Sequence, residues 1–178
     1  MTLLKDKPHR KTLLLAVSLL LCIFAGCLED DETQARKAIE IYRHGETKKA
    51  HAALSDLVKT QPKNATLVLY LALSCRDLGK KDEALLQLKK CIEIDPNNGQ
   101  AHSLLGSMLR NSENLEGAVK HHKRATEILP KSSAAWNNFG LTLASAGRFE
   151  EALRAYDQAL RVAPRDPVPL YNQGELYR

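Results

Sequence analysis

An all-helical solenoid of stacked, antiparallel helix pairs is the fold that the sequence predicts, from three registers that coincide. Proline stands at 62, 96, 130 and 164, a constant interval of 34 residues. Alanine stands at 50, 84, 118 and 152 with the same interval, and a small residue recurs at 38, 72, 106, 140 and 174. No gap is needed to keep the three in step. A unit this short cannot bury an apolar face alone, so neighbouring units must stack to make a core.

The N-terminal segment lies outside that register. Lys5, Lys7, Arg10 and Lys11 make the first eleven residues basic, and Thr12 to Leu28 is an uncharged, mostly apolar run of 17 residues. That is short for a membrane span, which needs roughly 20 residues. A basic start, an apolar stretch and then small residues are the marks of a secretory signal. The run ends Phe24-Ala25-Gly26-Cys27, followed by Leu28 and the acidic Glu29-Asp30-Asp31. This resembles the bacterial lipoprotein signal, with Phe24 where Leu is usual. The resemblance implies a signal peptide over 1–26, lipidation at Cys27 and a short tether over 27–30. A plain cleaved signal and an uncleaved anchor are the alternatives. A tri-acylated Cys27 buries its chains at ~0.8 kcal/mol per CH₂, enough for a stable anchor. The tether spans only about 10 Å at ~3.5 Å per residue, which holds the body against the membrane.

The repeats follow as 31–64, 65–98, 99–132 and 133–166, with a partial unit over 167–178. Residues 30, 64, 98, 132 and 166 are Asp, Asn, Asn, Ser and Asp, all good N-caps, so a first helix starts after each. Pro167 takes the first helical position, where a missing N–H costs nothing. Apolar residues then recur at helical spacing, as in Leu67, Leu71 and Cys75, or Trp136, Phe139 and Leu143. Gly45, Gly79 and Gly147 end this helix, since glycine tolerates the left-handed cap; Glu113 is the exception. The second helix opens with acids suited to its positive end, Asp82-Glu83, Glu116 and Glu150-Glu151. Proline two residues before the next cap keeps the helices from fusing. Ala84, Ala118 and Ala152 are expected to face Ala72, Gly106 and Gly140, because close helix contacts need small residues. The last unit is a first helix alone. Leu170 and Tyr177 are expected to expose apolar area there, which suggests a truncated product, a homodimer through the uncapped C-terminal helix, or a partner that covers this end.

With these positions in hand, the chain resembles the tetratricopeptide repeat family. Segment 133–166 matches the family pattern at Trp136, Phe139, Gly140, Leu143, Gly147, Ala152, Tyr156, Ala159 and Pro164. Segment 65–98 matches well, 99–132 carries His102 and His122 at usually apolar positions, and 31–64 diverges most while keeping Ala38, Gly45, Ala50 and Pro62. The resemblance covers 31–178. It implies a right-handed superhelix of four repeats plus the first helix of a fifth, whose first helices line a concave groove for protein ligands. Carried over residue by residue, the groove positions are Leu69, Leu73, Arg76 and Asp77, then Ser103, Ser107, Arg110 and Asn111. Asn137, Leu141 and Ser145 follow, with Tyr171, Glu175 and Arg178 on the last helix. Asn138 and Asn172 stand where the family often has an asparagine that bonds a ligand backbone, a role suited to a group that both donates and accepts. The paired Lys and Asn of the chaperone-binding subtype are absent: Leu69, Leu73, Ser103 and Ser107 occupy those places.

Composition and spacing exclude much else. The formal charge of +5 is concentrated in the first eleven residues; beyond them 22 basic side chains meet 20 acidic ones, no footprint for nucleic acid. The basic run Lys120-His121-His122-Lys123-Arg124 reads as a solvated helix face. His121 and His122 point to different helix faces, no His recurs at i+4 and no Cys-x-x-Cys exists, so neither a metal site nor a cofactor is expected. Cys75 and Cys91 are expected to be buried free thiols. In a helix pair turning near Gly79, Cys75 falls opposite about Ala84, ~10 Å along the axis from Cys91 at 1.5 Å per residue. The sequence contains no phosphate loop, nucleophile elbow or paired carboxylates in an apolar setting, so no catalytic residue is expected. The expectation is a non-enzymatic adaptor, exported and anchored facing the periplasm, on the outer rather than the inner membrane. Its partner is a protein or peptide, itself at the membrane. Architecture resembles type IV pilus pilotins, which assist secretin assembly, or scaffolds of peptidoglycan hydrolases. The alternatives are a fragment of a larger multi-domain protein with a downstream catalytic domain, and a scaffold on the cytoplasmic side behind an uncleaved signal anchor.

Overall fold

The structure, a computed structural model, describes residues 30–178. The expected signal peptide over 1–26, the lipidation site Cys27 and all of the tether except Asp30 lie outside the described residues. The chain divides into two units, Met1–Lys37 and Ala38–Arg178. Of the first, the described residues include the opening of helix α1 (Asp31–Arg43). Asp30 caps it by accepting the Thr33 N–H at 2.8 Å, and Arg36 pairs with Glu32 one turn back.

The second unit carries the remaining helices: α2 (Thr47–Thr60), α3 (Ala65–Asp77), α4 (Lys81–Ile94), α5 (Gly99–Asn111), α6 (Leu115–Ile128), α7 (Ser133–Ser145), α8 (Phe149–Val162) and α9 (Pro167–Leu176). Every described element is a helix. Turns of three and four residues alternate between them, and connections that short fold each helix back along the one before it. The pairs α3–α4, α5–α6 and α7–α8 pack most closely, and each second helix also packs on the next first helix.

Side-chain caps open the first helices of the repeats, whereas α2, α4 and α8 start without one. Asn64, Asn98, Ser132 and Asp166 accept from the backbone N–H of Leu67, Ala101, Ala135 and Val168 at 3.0 to 3.3 Å. Each such cap stabilises its helix by ~1 kcal/mol. After α3 the Gly79 N–H donates to the Arg76 carbonyl and the Lys80 N–H to the Cys75 carbonyl, both at 2.9 Å. That pair of bonds is the Schellman arrangement, which requires a left-handed residue at Gly79, where φ is +76°. The same two bonds recur after α5, around Glu113, which is held at φ 61° despite its side chain. The same turn therefore closes with the same two local bonds even where glycine is missing.

The core adds two rings to the expected packing at the small positions. A Cβ placed on Gly140 would come 2.5 Å from the Tyr156 ring, and one on Gly106 would come 2.7 Å from the His122 ring. The glycines therefore make room for the rings at 122 and 156. Ala118 and Ala152 are fully buried one helical turn earlier on the same face, where Ala152 packs in a cluster with Leu143, Ala155 and Tyr156. The small first-helix position thus sets how large a second-helix residue the repeat can hold. At the far end, α9 exposes Val168, Leu170 and Tyr171, with Tyr177 just beyond it. No described helix is long and apolar enough to cross a membrane.

Candidate functional site

The expected groove positions fall on α3, α5, α7 and α9, but they are not equally available. Leu69 and Leu73 are 5% and 7% exposed, and Asn137 is 8% exposed, so these three offer little surface to a ligand. Ser103, Ser107, Arg110, Asn138, Leu141 and Asn172 are half-buried, and Arg76, Asp77 and Asn111 are exposed. Of the further carry-over positions, Ser145, Tyr171, Glu175 and Arg178 are exposed.

Several of these side chains already serve one another. Asp77 accepts from the Tyr42 hydroxyl at 2.5 Å and from Arg76 Nε at 2.9 Å. Burial, and then the bond to Asp77, push the Tyr42 phenol up to about 12. Tyr42 also meets Tyr70 edge-on, with Arg43 over the Tyr70 ring. Asn172 Nδ2 donates to Asn137 Oδ1 at 2.8 Å, so these two asparagines join α9 to α7. Ser107 Oγ donates to the Ser103 carbonyl and Ser145 Oγ to the Leu141 carbonyl, each one turn back on its own helix.

A pocket of about 270 Å³ remains where α3, α4 and α5 meet. Leu85, Leu104 and Met108 give it apolar surface; Arg76, Lys81, Ser107 and Asn111 supply charge and hydrogen-bonding groups. Three expected groove residues, Arg76, Ser107 and Asn111, converge here. Lys81, Leu85, Leu104 and Met108 were not among them: α4 contributes two of the lining side chains, and only packing reveals that its start reaches this face.

On α5 and α6 the histidines take the places that a tryptophan and a tyrosine hold one repeat later. Trp136 Nε1 donates to the Pro130 carbonyl at 3.0 Å, and His102 Nε2 meets the matching Pro96 carbonyl at 3.3 Å. With the Nε2 proton committed to that carbonyl, His102 Nδ1 is the acceptor for His121 Nδ1–H at 3.0 Å. Burial lowers the pKa of both rings, and for His121 the neighbouring His102 lowers it further. His122 is fully buried and neither ring nitrogen has a partner. Burial first, then the Arg110 charge, bring it down to about 4.

The structure also assembles a group that spacing along the chain concealed. His51 of α2, Cys75 of α3 and Glu83 of α4 bring one donor atom each within 4.8 Å of the others. Cys75 and Cys91 are both buried free thiols. Burial raises both, Cys91 to about 11, and for Cys75 the Glu83 carboxylate adds to the effect.

Comparison with known proteins places this architecture. Two models of the tetratricopeptide repeat match, over residues 36–99 and 97–165. No curated protein sequence matches the chain. Among solved structures, the crystal structure of MamA is 24% identical with a TM-score of 0.72, covering 79% of this chain and 82% of that one. Pseudomonas aeruginosa pilF is 18% identical with a TM-score of 0.74, covering 82% and 67%. A thermophilic TPR protein of Thermus thermophilus is 21% identical with a TM-score of 0.67, covering 83% and 81%. With two repeat models running from residue 36 to residue 165, the chain belongs to the tetratricopeptide repeat family.

Proposed function

We propose that this chain is a non-catalytic adaptor of the bacterial envelope, lipidated at Cys27, that holds a protein segment along the first helices of its repeats. The observation that carries the reading is the pocket between α3, α4 and α5, where Arg76, Ser107 and Asn111 surround apolar surface from Leu85, Leu104 and Met108. An extended segment needs backbone partners, which Ser107 and Asn111 supply, and an apolar anchor desolvated in a pocket. Arg76 and Lys81 favour an acidic residue or a terminal carboxylate next to that anchor. The lipidation half of the proposal rests on Phe24-Ala25-Gly26-Cys27 after an apolar run, with repeats beginning almost at once. A body tethered that closely meets partners at the same membrane, and assembly of a pilus secretin is the role this arrangement fits best.

A photoreactive residue at Asn111 tests the pocket in cells. Capture of one envelope protein, reduced by Met108→Glu, is the expected result; capture unchanged by that charge in the apolar surface refutes it. Globomycin, which blocks lipoprotein signal cleavage, should make the uncleaved precursor accumulate. Unchanged processing sinks the lipoprotein claim. Normal secretin multimers in a deletion strain would remove the secretin role.

A further inference from the structure

We propose that His51, Cys75 and Glu83 form a binding site for a divalent zinc-like cation that clamps the first repeat to the second. Cys75 Sγ lies 3.7 Å from His51 Nδ1 and 3.8 Å from Glu83 Oε2. A tetrahedral zinc with its usual bonds to sulfur, nitrogen and oxygen sets neighbouring ligand atoms about 3.5 Å apart. All three donor atoms lie within 4.8 Å of one another, and the exposed Glu83 side chain can rotate between staggered positions to close the set. Sulfur, imidazole and carboxylate together are zinc's preferred donors. The three come from three different helices, so the donors are held by packed elements rather than by a loop. Among the described residues no other three such side chains converge this closely.

The site already attracts a cation. The Lys80 ammonium lies 3.1 Å from His51 Nε2 and 3.1 Å from Glu83 Oε2. Ser74 Oγ donates to the Leu71 carbonyl at 2.8 Å, so toward His51 Nδ1, 3.2 Å away, it is the acceptor. In this state the imidazole proton is therefore on Nδ1, and Nε2 accepts from Lys80. Metal binding exchanges these roles. The ammonium leaves, the imidazole proton moves to Nε2, and Nδ1 is free to bind the metal. The Cys75 thiol gives one proton to solvent and becomes a thiolate. Thiolate, carboxylate and a doubly charged ion then sum to neutral, which suits a site whose thiol is buried. Lys80 competes with the metal, and this competition separates a metal site from an ordinary hydrogen-bonded cluster.

The test uses the purified full chain, free of affinity tag, with Cys22→Ser and Cys27→Ser so that Cys75 and the buried Cys91 are the only thiols. Co²⁺ is the probe. A thiolate-to-cobalt absorption band in the near ultraviolet, saturating at one ion per chain with about one proton released, is the expected result. Zn²⁺ should bleach the band and raise the melting temperature. Cys75→Ala should abolish the band and Cys91→Ala should leave it. Glu83→Gln should weaken Co²⁺ binding by about tenfold or more, the scale on which metal sites respond to loss of supporting groups. Lys80→Met should tighten it, an effect that a merely structural role for Lys80 does not predict. Glu83 and Lys80 are exposed, so these two variants keep the test valid if Cys75→Ala unfolds. No band, a band that survives Cys75→Ala, or weaker binding in Lys80→Met overturns the proposal.

Discussion

Gly140→Ala adds one methyl group to a place where the structure leaves none. Its Cβ would lie 2.5, 2.6 and 3.0 Å from three ring atoms of Tyr156, which is 1% exposed and enclosed by Leu143, Ala152 and Ala155. Alanine gains ~1 kcal/mol over glycine in a helix interior. Overpacking a dense core costs ~1–3 kcal/mol. The net expectation is destabilisation by about 0–2 kcal/mol, the difference of those two terms. Gly174 holds the same position in the last unit, yet nothing lies within 4 Å of its added Cβ. There the helix term acts alone, and Gly174→Ala should stabilise by up to ~1 kcal/mol. Urea unfolding of both variants measures the gap, expected at about 1–3 kcal/mol; melting should separate by ~2–4 °C for each kcal/mol. Shrinking the ring relieves the clash, so Gly140→Ala combined with Tyr156→Leu should cost less than the two changes added. If Gly140→Ala stabilises as much as Gly174→Ala, the ring is not where the structure puts it and the register is wrong.

Other expectations follow from the same geometry. Glu113 is held at φ 61°, a conformation costing an L-residue roughly 1–2 kcal/mol, so Glu113→Gly should raise the urea midpoint although it removes a charge. Gly79→Ala, at φ +76° in open space, should lower it for the same reason. His122 stays neutral in the fold down to about pH 4, whereas in the unfolded chain it titrates near ~6.5. Stability is full above the unfolded value, falls as acidification protonates the unfolded state first, and levels off below about pH 4. His122→Phe should flatten that part of the pH profile. It should also stabilise at pH 7 by about 1–3 kcal/mol, since two buried nitrogens without partners are removed; a profile with unchanged slope counts against this assignment. Asp166→Ala should cost ~1 kcal/mol and fray α9, because it removes both the acceptor for the Val168 N–H and the partner of Ser133 Oγ, as amide exchange would report.

What could be read before folding was whatever repeats or acts locally. Five caps, the glycine turns and the prolines each depend on residues within one or two turns, and a 34-residue interval repeats them, so helix boundaries and order followed directly. The interval also aligned His102 with Trp136 and His122 with Tyr156. It did not say that His102 would reproduce the Trp136 bond to a proline carbonyl while His122 would find no partner at all. Groove positions came from the family resemblance, and packing then sorted them. Leu69, Leu73 and Asn137 went inside, and Lys81 and Leu85 joined the pocket from a second helix.

The sequence by itself determined fold class, repeat register and the caps of the first helices, because such a helix start is decided by backbone groups satisfied a few residues away. Tertiary structure alone decided which side chains meet. His51, Cys75 and Glu83 are 24 and 8 residues apart and share no motif; they converge because α2, α3 and α4 pack side by side. Gly106 and Gly140 proved to seat the rings of His122 and Tyr156, because a close helix contact is set by the shapes of both faces and periodicity specifies only one face at a time.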